Sequence, residues 1–414
     1  MASLPFLSPA FHRLAWSNLA AQSAEQIGLA AAPIVAVLML GAGASQTGLL
    51  QAVQTLPFLL LAIPLGLLAD RTPRRRLMLC GEILRVASFI GIIISVEAHM
   101  LSVAMLAAFG FVGATGTVAC SVSAPSLVPS LVARDGLTAA NGRLELVRSV
   151  AYAAGPALGG ALVGWIGAMA AFAIAALISC GAAVLLGGLK ESPRAKLPPR
   201  NPIQDIAEGG RFVFAHPLLR PILATAVVFN IAFFVQQAVF VPYAVHALHL
   251  SASGVGVTMA AYGGGMLVAA LFAGRIMRRL PFGMTIAIGP LTGLCAAIAM
   301  AVTIWVPSMA VAMVSFFLIG AGPILWVIGT TTLRQLVTPQ RLLGRVSAIL
   351  TVATFGARPL GAGIGALIGG LYGAPICLLL ALAGFGVQAL IILASPAVHL
   401  KTQPQPVGDL SPAE

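Results

Sequence analysis

Apolar residues run through this chain in long stretches, and polar residues gather in the gaps between them. Twelve stretches stand out: 14–40, 47–69, 77–96, 101–124, 144–165, 167–188, 218–243, 253–277, 284–306, 308–333, 345–371 and 374–395. A bilayer core takes about 20 helical residues to cross, against about 10 for a barrel strand. Lipid offers the backbone no hydrogen bonds, so each stretch must satisfy its own amides, as a helix does. The pattern predicts an all-α integral membrane protein with twelve transmembrane helices.

The longest polar gap, 189–216, separates six stretches from six. Its Pro-rich start reads as a linker, and "IQDIAEGGRFVF" as a short amphipathic surface helix. The expected division is an N-terminal six-helix bundle over 1–188, a cytoplasmic linker over 189–216, and a C-terminal bundle with a short tail over 217–414. The halves echo one another: the segment around Pro156 resembles the segment around Pro359 in order and spacing, as "GLLADR" (66–71) resembles "GRIMRR" (274–279). A duplicated unit of this kind puts a binding site between its halves, near the bilayer midplane.

Composition supports lipid as the solvent. Hydrophobic residues make up 59% and charged residues 8%, where a soluble domain carries about 25% charged. The net charge of +12 invites a nucleic-acid reading, but the bases sit in small clusters between apolar stretches. Counting gaps, all of the 23 Lys and Arg except Arg358 fall on one side; Arg85 is assigned with Arg71, Arg74, Arg75 and Arg76 to the gap after the second stretch. The positive-inside rule makes that side, with both termini, cytoplasmic. The five cysteines stand singly in apolar stretches, without metal or redox spacing. No cleavable signal, nucleotide loop or catalytic constellation is read. The expectation is no enzyme, no cofactor, no metal and no nucleic-acid partner.

One gap carries more than orientation. In "GLLADRTPRRR" (66–76) an acid precedes the bases, and an acid does not serve the positive-inside rule. Gly66, Asp70, Arg71, Arg74 and Arg75 match the G-x-x-x-D-R-x-G-R-R signature between helices 2 and 3 of the major facilitator superfamily, with Pro73 in place of its middle glycine. "AYAAGPALGG" (151–160) resembles the helix 5 signature of exporters that exchange substrate for protons: Gly155, Pro156, Gly159 and Gly160 match, and Ala151 replaces the first glycine. Within the superfamily the whole chain most resembles the macrolide-efflux and enterobactin-exporter-like branch. The resemblance implies alternating access, a latch at Asp70 on the cytoplasmic side, and export of a small amphipathic or drug-like molecule across the inner membrane in exchange for protons. The chain departs from the pattern in its fourth stretch, which lacks the arginine such exporters carry there. Gly155 and Gly159 are expected against a helix of the other half.

Glu25 stands midway along the first stretch, sharing a helix face with Asn18 and Gln22. A buried carboxyl there can hold a proton or a cationic substrate. Asn230 and Gln237 mirror this stripe in the seventh stretch. Arg358, inside the eleventh, reads as Glu25's counter-charge, a substrate anchor or a structural tie. Glu82–Arg85 and Glu145–Arg148 read as local pairs near the cytoplasmic face. With aromatics at 7%, no aromatic cage is evident. The expected partners are a small-molecule substrate, protons and lipid, with the protein acting as a monomer. The rival readings are an importer or facilitator of metabolites or siderophores on the same fold, and a membrane receptor or lipid-handling protein without transport. The sidedness is testable by cysteine labelling. Cysteines placed at Ser45 and Ser251 should react with an impermeant maleimide in intact cells, and one at Ser192 only after permeabilisation.

Overall fold

The computed structural model describes residues 8–132, 137–189 and 202–405. Its elements are α1 (Pro9–Leu40), α2 (Ala44–Leu60), α3 (Ala62–Arg71), α4 (Arg74–Glu97), α5 (Val103–Leu131), α6 (Leu137–Trp165), α7 (Ala168–Gly187), α8 (Pro202–Ala215), α9 (Leu219–His246), α10 (Ala252–Arg279), α11 (Phe282–Val302), α12 (Met309–Val337), α13 (Gln340–Tyr372) and α14 (Ala374–Leu393), followed by a 3₁₀ turn, Pro396–His399. Among the described residues eleven helices are long and apolar enough to cross a membrane, and α2 with α3, a pair bent by 43°, makes twelve when counted as one span. That break interrupts the stretch 47–69, which the sequence pattern reads as one helix. Pro64 has no N–H to give the Leu60 carbonyl, and its ring crowds that carbonyl, so the helix stops and restarts. The short helix α8 falls where the amphipathic segment is expected.

The first and last six crossings use the same packing scheme. α1 lies against α6 and α7, as α9 lies against α13 and α14; α4 packs on α5 and α7, as α11 packs on α12 and α14. The links at one end are short and contain no Lys or Arg: 41–43, 98–102, 166–167, 247–251, 303–308 and 373. Serines close several of them, with Ser102, Ser251 and Ser308 capping α5, α10 and α12 through their hydroxyls. Gly167 and Gly373, at φ 102° and 82°, make equivalent turns in the two halves, and a side chain would be strained at either. The opposite, base-rich end holds α8 against α13, where Glu208 pairs with Arg345. The chain after α14 returns there to α11, Gly283 N donating to the Leu400 carbonyl at 2.7 Å.

The halves meet in a tight seam at the base-poor end. Thr47 Oγ1 of α2 donates to the Ala238 carbonyl of α9 at 2.8 Å. A methyl group on Gly48 would strike the Ala366 backbone of α13 at 2.5 Å. On the other flank, Gly160 of α6 meets the Ala252 carbonyl and Gly256 of α10, and Gly164 meets Ser253. Small residues allow this backbone contact. The expected partners of the helix 5 glycines are corrected here: Gly155 packs on Gln26, and Gly159 on the Ile27 carbonyl, both of α1 in the same half. Pro156, Gly160 and Gly164, at i, i+4 and i+8, form the face toward α10. At the base-rich end α3 packs on α2, α4 and α5, all of its own half.

Large apolar side chains such as Leu177, Val184 and Leu390 point outward, each more than two-thirds exposed, as a surface facing acyl chains requires. Trp165 and Trp305 stand exposed at the base-poor ends of α6 and α11, the interfacial depth that indole rings favour. Gly160→Leu should prevent the seam from closing while leaving each half folded, because overpacking costs about 1–3 kcal/mol. Increased maleimide reactivity of a cysteine at Ser253, with unchanged helical circular dichroism, is the expected result.

Candidate functional site

A cavity of about 250 Å³ lies between the halves, below the seam. Glu25, Gln51, Gln54 and Arg85 line it from the first half, and Asn230, Gln237 and Arg358 from the second. Asn18 and Gln22 do not line it; they sit two turns and one turn from Glu25 along α1, toward the base-rich end. Pro156 reaches the wall, while Gly155, Gly159 and Gly160 serve packing.

The first-half wall holds a charge cluster tied across four helices. Glu82 and Arg85 are one turn apart on α4, and Glu82 is fully buried. Arg85 Nη1 donates to both carboxylate oxygens of Glu82, at 2.6 and 2.7 Å. Ser179 Oγ of α7 donates to Glu82 at 2.6 Å, and Cys120 Sγ of α5 at 3.4 Å. Arg85 also donates to Thr117 Oγ1 of α5 at 2.9 Å and to the Ala21 carbonyl of α1 at 3.4 Å. Glu25 Oε2 then lies 4.0 Å from Arg85 Nη2. Two carboxylates thus share one guanidinium, and Glu82 holds both short bonds. Glu25, 19% exposed at its side chain, keeps a face to the cavity.

Three expectations change. Glu82–Arg85 lies in the protein interior and does not sit at the cytoplasmic face. Arg85 belongs to α4 and leaves the basic rim. The cation paired with Glu25 is Arg85, and Arg358 is not its partner. The fourth crossing carries no arginine of its own, but the guanidinium of Arg85 on α4 reaches its Thr117. Its signal was available, since Arg85 falls within the apolar stretch 77–96, where a charge costs about 2.5–3.5 kcal/mol unless it is paired or faces water.

The second-half wall differs. Arg358 of α13 is ringed by Phe355, Phe58 and Phe234, its guanidinium carbon 4.2, 5.4 and 5.5 Å from their centroids. These rings come from three helices, and together they form the aromatic enclosure that sequence did not reveal. Asn230 is buried and bonds back to the Ala226 carbonyl at 2.9 Å. Gln54 Oε1 and Gln237 Oε1 are buried without a partner. Tyr152 and Tyr262 meet across the halves at 5.8 Å between ring centroids.

The charged gap at the base-rich end is only partly visible. The side chain of Asp70 lies outside the described residues, as do Arg134 and the segment 190–201. Arg75 caps the end of α7, its Nη2 donating to the Gly187 carbonyl at 2.6 Å and its Nε to Leu186 at 3.1 Å. Arg71 is exposed and Arg74 buried. Gly66 has open space where a Cβ would stand. Glu145 and Arg148 form the expected local pair at 2.7 Å.

Among the described residues no cluster of metal-binding side chains occurs. The chain matches the family of transmembrane secretion effectors over residues 2–407. It is 28% identical over 373 residues to the multidrug efflux pump Tap of Mycobacterium tuberculosis, with 85% of each chain covered. It is 26% identical over 358 residues to the enterobactin exporter EntS of Citrobacter koseri, covering 84% of this chain and 82% of that one. Among solved structures, a bacterial homologue of the iron transporter ferroportin in an inward-facing state superposes with a TM-score of 0.72 at 17% identity, over 93% of this chain and 98% of that one.

Arg85→Met should strand Glu82 in the interior and destabilise the protein by about 3–5 kcal/mol. The double variant Glu82→Met/Arg85→Met should recover most of that loss. Thermal unfolding of the detergent-solubilised variants gives the comparison.

Proposed function

Since the chain belongs to the transmembrane secretion effector family of the major facilitator superfamily, and is a multi-span membrane transporter rather than an enzyme, we propose that it exports a small amphipathic molecule across the bacterial inner membrane in exchange for protons. The relatives support this direction, one being named an efflux pump and the other an exporter. Under this reading the base-rich end is cytoplasmic, with both termini, and the protein works as a monomer among lipids. The closed seam at the base-poor end then makes this the state that receives substrate from the cytoplasm. The Asp70 segment closes the cytoplasmic end in the alternate state.

The observation that carries the proposal is the uneven sharing of Arg85. Glu82 takes its short bonds, so the charge of Glu25 is the one open to exchange. With Glu25 ionised, the cluster of Glu25, Glu82 and Arg85 holds one net negative charge facing the cavity. A proton or a cationic group of the substrate neutralises it equally well. Competition for one carboxylate couples the two: protonation from the outer side releases substrate, and return to the cytoplasmic side releases the proton. Glu25→Gln keeps the shape and removes the charge. In proteoliposomes under an imposed pH gradient, it should lower ethidium transport at least about tenfold while the protein stays folded. Gradient-driven transport at the wild-type rate would exclude Glu25 as the coupling group.

A further inference from the structure

Glu82, Arg85 and Glu25 satisfy one another, but Arg358 has no such neighbour. Among the described residues no carboxylate lies within 4.0 Å of it, and none accepts a hydrogen bond from it. Its Nε is buried without a partner. The rings of Phe355, Phe58 and Phe234 lie 4.2–5.5 Å from the guanidinium carbon. Such contacts stabilise the cation through the π faces. They accept none of the five N–H donors that a guanidinium directs within its own plane. Arg358 also lines the central cavity, opposite the carboxylate of Glu25. A fixed cation with open donors and an aromatic surround is a receptor for a planar oxyanion carried on an apolar body.

We propose that the substrate bears an oxyanion group, of carboxylate type, which Arg358 holds while Phe58 and Phe234, which line the cavity with it, cover the adjoining apolar part and Phe355 backs the guanidinium. This rests on the cavity being the transport site proposed above and specifies its ligand. The charges agree with an ampholyte. The Glu25 cluster offers one net negative charge and Arg358 one positive, so a molecule carrying an amine and a carboxylate leaves the cavity neutral. A plain cation satisfies Glu25 and leaves Arg358 bare. Gln54 and Gln237 line the same cavity and add polar groups to its wall.

The test compares binding of Nε-dansyl-lysine with that of its methyl ester, followed by dansyl fluorescence, on the full chain in lipid nanodiscs. At about pH 6 both probes carry a protonated α-amine, so they share the ammonium and the aromatic group and differ in the carboxylate. The wild type should bind the free acid at least about tenfold more tightly, as expected for a charge-assisted pair. Arg358→Gln should bring the two affinities within about twofold, and Arg358→Lys, which keeps the charge but loses the planar fork, should keep a reduced preference. A merely structural arginine would weaken both probes alike. Equal binding of the two by the wild type, binding of neither, or an undiminished preference in Arg358→Gln would overturn the proposal. The wild-type comparison decides even if Arg358→Gln does not fold. Ethidium transport in proteoliposomes tests the other reading separately. Gradient-driven transport without a carboxylate preference removes the oxyanion site alone, and the preference without gradient-driven transport removes proton exchange alone.

Discussion

A charge inside hydrocarbon must meet an opposite charge, a polar cavity or an aromatic face, and the interior of this protein follows from that requirement. The chain has few charges, so each one within a crossing marks a place where helices are held together or where water and solute enter. Glu82 and Arg85 do the holding. Their bonds to Ser179, Thr117, Cys120 and the Ala21 carbonyl join α1, α4, α5 and α7 into one block. Glu25 and Arg358 are left to the space between the blocks.

Apolar burial cannot choose the arrangement of the halves, because lipid is as apolar as the helix surfaces it would replace. The seam instead uses backbone approach. Glycines on α2, α6, α10 and α13 let carbonyls and α-carbons touch, and the Thr47 hydroxyl adds a directed bond to the Ala238 carbonyl. Contacts of this type are short in reach and sensitive to a single methyl group. They hold the halves in this arrangement by close backbone contact and not by apolar area.

Most of the architecture was legible in the sequence, since hydrophobic run length and base distribution act locally and bilayer thickness sets their scale. The crossings fall within a few residues of the apolar stretches. Features that depend on several helices were less legible. Counting charges by gap ignores depth and so groups Arg85 with the loop bases, although it lies within α4. Gly155 and Gly160 are neighbours in one motif but lie on different faces of α6, and letters alone do not say which face meets the other half. Phe355 stands one turn before Arg358 on α13, a local pair, but Phe58 and Phe234 come from distant parts of the chain and nothing local links them to it. Glu25 was found because a lone acid in a long apolar helix is conspicuous by itself, whereas its partner required the fold.

The break between α2 and α3 has a mechanical meaning. A continuous rod would carry a tilt at one end of this crossing directly to the other. Here the segment bound into the seam and the segment bearing the charged gap are joined by a flexure at Leu61, bent by 43°. The seam segment is held by α13 and the other by α5, so substitutions in the two segments that share no neighbour should add in free energy instead of coupling.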